Sequence, residues 1–170
     1  LYSNGHAVGK IELLILGGTW SSYKKKYQEE FILRCFDAMN QTSSPHLEAA
    51  HHLNEQATHR NVGLVVETRP DHVDLKEVRW MRRLGVTKVQ IGLQSMNDEI
   101  LLLNKRGHTL AETAEALRVL RRAGFKIVLH WMPNLLGATP ESDLEDFKSI
   151  WTHLDIQPDE LKIYPCSLVK

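Results

Sequence analysis

The chain has 170 residues, 42% of them hydrophobic and 25% charged, with 21 Lys plus Arg balanced by 21 Asp plus Glu. This composition excludes an intrinsically disordered segment, and the lack of any apolar run of about 18 residues excludes a membrane-spanning helix. Cys35 and Cys166 are too few for a disulfide framework or for a zinc or iron–sulfur site built from this chain's thiolates alone, and zero net charge gives no whole-surface attraction for nucleic acid.

Residues 11–16 form an almost continuous apolar run that ends in Gly17-Gly18-Thr19. Continuous runs, unlike alternating ones, mark strands buried on both faces of a parallel sheet. Over 23–39 the period becomes helical, and Tyr27, Phe31, Cys35 and Met39, four residues apart, are expected to form the buried stripe. A more polar helix is expected over 45–58, then a strand over 63–66 followed by Glu67-Thr68-Arg69-Pro70-Asp71. From 74 to 84 the stripe is Leu75, Val78, Met81 and Leu84; Asp74 with Glu77 suits a capping box, and Gly85 a closing turn of positive φ. A strand over 89–93 leads to Gln94-Ser95, a short helix over 97–103 and Lys105-Arg106-Gly107. The next helix repeats the design, with Thr109 and Glu112 as caps, Leu110, Ala114, Leu117 and Leu120 inward, and Gly124 at its end. A strand over 127–129 gives way to His130-Trp131-Met132-Pro133-Asn134. The last helix opens at Thr139-Pro140 and buries Leu144, Phe147 and Ile150 or Trp151, and a final strand over 161–164 ends at Pro165-Cys166-Ser167.

This alternation predicts right-handed βαβ units in one α/β domain over 1–170, with a parallel sheet or barrel. In such folds the C-terminal ends of the strands carry the active site, so the polar residues after the five strands should converge on one rim. Two readings stand for each. Gly17-Gly18 makes a tight turn or lets a ligand approach the backbone. Glu67 and Arg69 pair with each other or grip an amino and a carboxylate group. Lys105-Arg106 is a solvated pair or a cationic fork for a carboxylate or phosphate. His130 reads first as a hydrogen-bonded core residue; His46, His51, His52 and His59 crowd one region, but only His52 and His59, seven apart with Glu55 between, share a helix face, and zinc takes His at closer spacing with a third ligand, so no metal site is expected. Cys35 reads as structural. Lys24-Lys25-Lys26, Arg79 with Arg82-Arg83, and Arg118 with Arg121-Arg122 are solvated faces or, as the sharper alternative, a nucleic-acid surface.

Taken together and in order, the motifs carry a resemblance. Leu14-Ile15-Leu16-Gly17-Gly18-Thr19-Trp20, Val66-Glu67-Thr68-Arg69-Pro70-Asp71, Leu84-Gly85-Val86-Thr87-Lys88-Val89-Gln90-Ile91-Gly92-Leu93-Gln94-Ser95, Leu103-Asn104-Lys105-Arg106-Gly107-His108-Thr109, His130-Trp131-Met132-Pro133-Asn134-Leu135-Leu136-Gly137 and Leu161-Lys162-Ile163-Tyr164-Pro165-Cys166 resemble the radical S-adenosylmethionine domain of the Elongator catalytic subunit family. The resemblance implies a partial (β/α)6 TIM-like barrel of parallel strands from a tRNA wobble-uridine C5 acetyltransferase, which begins carboxymethyl-type modification. It implies S-adenosylmethionine, a 4Fe-4S cluster and acetyl-CoA as cofactors or co-substrate, and tRNA as partner, with other Elongator subunits in a eukaryotic source. By superfamily analogy Gly17, Gly18 and Thr19 meet the methionine amino group, Gln94 or Ser95 the ribose, and Lys105 or Arg106 the carboxylate, with Glu67, Arg69 and His130 nearby. Lys24, Lys25, Lys26, Arg82 and Arg83 are the candidates for tRNA.

The departures from the family shape the expectations. Its cluster is held by three closely spaced cysteines after the first barrel strand, and no such triplet occurs here. The chain, opening at Leu1 and closing at Lys170, is therefore expected to be a fragment without the first strand, the cluster loop and the acetyltransferase domain, and to be inactive alone. Without that strand, residues 11–16 leave an open sheet edge and self-association is expected. A cytoplasmic location, without export leader or membrane contact, completes the picture. Two other readings are an RNA-binding module using Lys24–Lys26, Arg82-Arg83 and Lys105-Arg106, and a related radical enzyme on another substrate, since Gln94-Ser95 is also similar to coproporphyrinogen dehydrogenases.

Overall fold

The computed structural model describes residues 2–167; Leu1 and residues 168–170, the ends behind the expectation of a longer parent, lie outside the described residues. Five strands, β1 (Lys10–Ile15), β2 (Arg60–Thr68), β3 (Lys88–Gln94), β4 (Lys126–Trp131) and β5 (Glu160–Ile163), pair in parallel and in sequence order. Such winding always in one direction curls the sheet into a half-barrel, whereas a doubly wound sheet would reverse its order at a switch point. The helices are α1 (Lys25–Asn40), α2 (Leu47–Asn54), α3 (Leu75–Arg83), α4 (Asp98–Leu103), α5 (Leu110–Arg122) and α6 (Pro140–Thr152).

Local chemistry sets the helix ends. The Asp74 carboxylate accepts from the Glu77 amide, Thr109 and Glu112 close a reciprocal capping box, and Thr139 closes another with Ser142 ahead of which Pro140 occupies the first turn. Gly85 and Gly124 turn the chain out of α3 and α5 at φ of 86° and 79°. The helix expected over 45–58 is shorter, Leu47–Asn54, capped by His46 Nδ1 accepting from the Ala49 amide.

The core lies between the convex face of the sheet and these helices. Leu64, Val66, Val89, Ile91, Leu93, Ile127 and Leu129 meet Ile32, Phe36, Leu47, Met81, Leu117, Leu120 and Ile150, all of them buried. Each such side chain contributes about 1.5–3 kcal/mol by leaving water.

Three expectations are corrected. The stripe Tyr27-Phe31-Cys35-Met39 is not the buried face of α1: Gln28, Ile32, Leu33 and Phe36 are, while Tyr27 is 51% exposed. A spacing of four advances roughly 40° further than a full turn each time, so the stripe spirals off the contact. Leu75, Leu144 and Trp151 are exposed as well, because they stand on the outward sides of α3 and α6. The strands, finally, are not apolar on both faces. The residues alternating with the core set point into the concave side, and they include Glu12, Glu67, Lys88, Gln90, Gln94, His130, Glu160 and Lys162. At the foot of this face Lys88 Nζ lies 3.2 Å from Glu12 and 2.7 Å from Glu160, bridging β1, β3 and β5.

Candidate functional site

At the C-terminal ends of the strands the loops enclose a cavity of about 200 Å³, lined by Gly18, Thr19, Glu67, Thr68, Arg69, Gly92, Gln94, Arg106 and His108. Gly17 and Gly18 carry φ of 117° and 112°, values that a side chain would strain, and no atom lies within 4 Å of where their Cβ atoms would stand. Their backbone is therefore open to a ligand.

Gln94 ends β3 in the left-handed region, φ 71°, at a cost on the order of 1 kcal/mol for a residue with a side chain. Gly92 makes room for it: a Cβ at 92 would fall 2.7 Å from Gln94 Nε2. The Gln94 side chain is buried, yet its Oε1 has no hydrogen-bond partner, and neither has Nδ1 of buried His108, whose Nε2 sits 3.2 Å from the Leu93 carbonyl. Two orphaned polar atoms in one cavity wall are costly unless a ligand or water meets them.

Arg106 is half-buried and forms no ion pair among the described residues; burial, and then the positive charge of Arg69, push its pKa down. Arg69 does not pair with Glu67. Its guanidinium grips Asp71 through two hydrogen bonds of 2.8 and 2.9 Å and donates to the Gly107 carbonyl at 3.3 Å, fixing the loop that carries Arg106. The cavity thus offers a carboxylate, an unneutralised guanidinium and two unmet polar atoms.

Other candidates stand elsewhere. Ser95 Oγ donates to Asp146 at 3.0 Å and accepts from the Asn97 amide, tying α6 to the start of α4. Lys105 is exposed at the end of α4 with φ 53°, outside the cavity lining. His130 points into the concave face, its Nε2 2.7 Å from Gln90 Oε1 and its Nδ1 3.6 Å from Glu67 Oε1. The basic residues gather around Trp80 and are largely paired. Lys24, Lys25 and Lys26 begin α1, with Lys25 paired to Glu77 and 5.5 Å from the Trp80 ring centroid, while Arg83, at the end of α3, lies 5.4 Å from the same centroid. Arg83 binds Glu29 and Glu48, and Arg82 covers the Phe125 ring at 5.2 Å. Gly92 and His108 were not singled out from the sequence; a glycine inside a buried apolar run was the signal for the first.

Residues 3–150 match the family model described as the Radical SAM superfamily. The chain belongs to the radical SAM superfamily. It is 46% identical over 166 residues to the tRNA uridine(34) acetyltransferase of Methanocaldococcus infernus and 34% identical to Elongator complex protein 3 of Saccharomyces cerevisiae. Each alignment covers 98% of this chain but 31% and 30% of the relative, so the chain spans about a third of the length of the curated relatives it matches. The solved structure of archaeal M. infernus Elp3 with an N-terminal deletion superposes with a TM-score of 0.94 at 47% identity, covering 97% of this chain and 39% of that one. Coproporphyrinogen III oxidase from Escherichia coli, with TM-score 0.57 and 14% identity, shares the fold.

The superfamily implies S-adenosylmethionine and a 4Fe-4S cluster. The rim cavity fits the first. An amino acid moiety needs an anion for its ammonium and a cation for its carboxylate, which Glu67 and Arg106 provide, and the ribose hydroxyls suit the orphaned Gln94 Oε1 and His108 Nδ1. The cluster does not fit the residues present. No group of three His, Cys, Asp or Glu able to hold a metal occurs among the described residues; Cys35 lies on α1, where burial pushes its thiol pKa up, and Cys166 stands alone after β5.

Proposed function

We propose that this chain is the S-adenosylmethionine-binding core of a tRNA wobble-uridine acetyltransferase. The observation that carries the reading is the convergence of the Glu67 carboxylate, the Arg106 guanidinium and the unmet Gln94 Oε1 and His108 Nδ1 on one glycine-edged cavity, in a chain whose relatives bear that name. Bound there, S-adenosylmethionine supplies a carbon–sulfonium bond for cleavage. The chain's own residues hold and orient it: Glu67 and the Gly17-Gly18 loop take the ammonium, Arg106 the carboxylate, Gln94 and His108 the ribose, and the Arg69–Asp71 clamp keeps the Arg106 loop in place. Acetyl-CoA is the co-substrate, tRNA the acceptor, and the setting cytoplasmic, with other Elongator subunits joining in a eukaryotic source. Cluster ligands come from sequence other than these residues, so the 170-residue piece by itself forms no 5′-deoxyadenosine. The unshared side of β1, which pairs only with β2 among the described residues, supports self-association of the isolated piece; a clean monomer at high concentration by light scattering would count against that.

Calorimetric titration with S-adenosylhomocysteine tests the reading. Wild type binds, and Arg106→Met weakens binding at least about tenfold, the scale of one lost charge-assisted hydrogen bond. Salt-dependent tRNA binding with no measurable S-adenosylhomocysteine binding would replace the reading with an RNA-binding module.

A further inference from the structure

Glu67 belongs both to the rim cavity and to the concave face, where it meets a second group of side chains. Lys162 Nζ lies 2.9 Å from Gln90 Oε1, and an ammonium can only donate, so the amide oxygen faces it. His130 Nε2 lies 2.7 Å from that same oxygen, so it too must donate. Burial, and then the Lys162 charge, lower the His130 pKa to about 4, which leaves the ring neutral at pH 7. A neutral ring protonated at Nε2 has a bare Nδ1, and Nδ1 faces Glu67 Oε1 at 3.6 Å. Two acceptors therefore look at each other with no donor between them. Lys162, half-buried beside them, makes no ion pair among the described residues and keeps N–H groups to give. The Tyr164 ring, half-exposed, meets His130 edge to face at 5.1 Å and closes the wall.

We infer that this wall reads the edge of a planar imide of the uracil type: the ring N–H donates to the Glu67–His130 acceptor pair, and a flanking carbonyl accepts from Lys162. Gln90 is a positioning residue, since it fixes the tautomer that bares Nδ1. Cytosine has no ring N–H at the matching place and would set an acceptor against the acceptors. The inference rests on the uridine reading above and adds which residues select the base.

The test uses the full-length protein and two tRNA transcripts differing only in uridine or cytidine at the wobble position, with binding followed by fluorescence anisotropy. Wild type prefers uridine by about tenfold, the worth of one hydrogen bond. Lys162→Met and His130→Phe reduce the preference below about threefold while S-adenosylhomocysteine affinity stays within about twofold, which also shows that the variants are folded. Gln90→Leu loses the preference. Two-bond 1H–15N spectra show His130 protonated at Nε2 only. A preference that survives Lys162→Met and His130→Phe, or a proton on Nδ1, overturns the inference and leaves the uridine reading standing. Cofactor affinity that falls together with the preference assigns the wall to S-adenosylmethionine and overturns it too. A wild type without any preference defeats the uridine reading itself.

Discussion

The two faces of the same five strands obey different rules. On the convex face Leu64, Val66, Ile91 and Leu129 are sealed against helices and contribute by volume. On the concave face Lys88, Gln90, His130 and Lys162 alternate with them and contribute by hydrogen bonds and charge. A side chain on the first face is replaceable by another of similar shape, and one on the second only by another with the same donors and acceptors. The fold is held by one side of the sheet and the chemistry by the other.

The widest gap between the faces should come from Leu129→Ala, which removes a fully buried side chain from the convex core and is expected to cost about 3–4 kcal/mol in urea unfolding. Gln90→Leu conserves volume on the concave face but orphans Lys162 and His130, and about 1–3 kcal/mol is expected from the same measurement. An equal loss at the two sites would break the contrast. The concave face should also make stability depend on pH. The folded His130 ring titrates at about 4 and an unfolded one near 6.5, so the unfolded chain takes up the extra proton between those values. Stability is therefore complete above about pH 6.5 and falls as pH drops towards 4, and His130→Phe should flatten that part of the profile. The smallest effect belongs to Lys88→Met, which loosens the partly solvated bridge from Glu12 to Glu160; about 0.5–1 kcal/mol is expected, shrinking in high salt. A salt-independent loss would mean that the Lys88 stem packs instead of pairing.

The convex face and the rim were legible in the sequence because both follow from local pattern. Apolar runs locate the strands, capping residues such as Thr109 and Thr139 locate the helices, and parallel winding then sends Gly18, Glu67 and Gln94 to one end. The concave network was not legible. Gln90 and Lys162 are 72 positions apart and each looks like an interruption of an apolar run until barrel curvature brings the strands round. The α1 stripe failed for a related reason, since a repeat of four residues overshoots a full helical turn and winds around the helix. His108 gave no sign of its unmet nitrogen, because only the folded chain shows which buried atoms go without partners.

Gly92 offers a practical handle. Since a methyl group there would press on the far end of the Gln94 amide and on no backbone atom, Gly92→Ala would act as a wedge, swinging that amide into the mouth while the layers behind it stay put. A single carbon could thus separate the scaffold from its occupancy, yielding a stopped version of the protein for capturing whatever else docks on it.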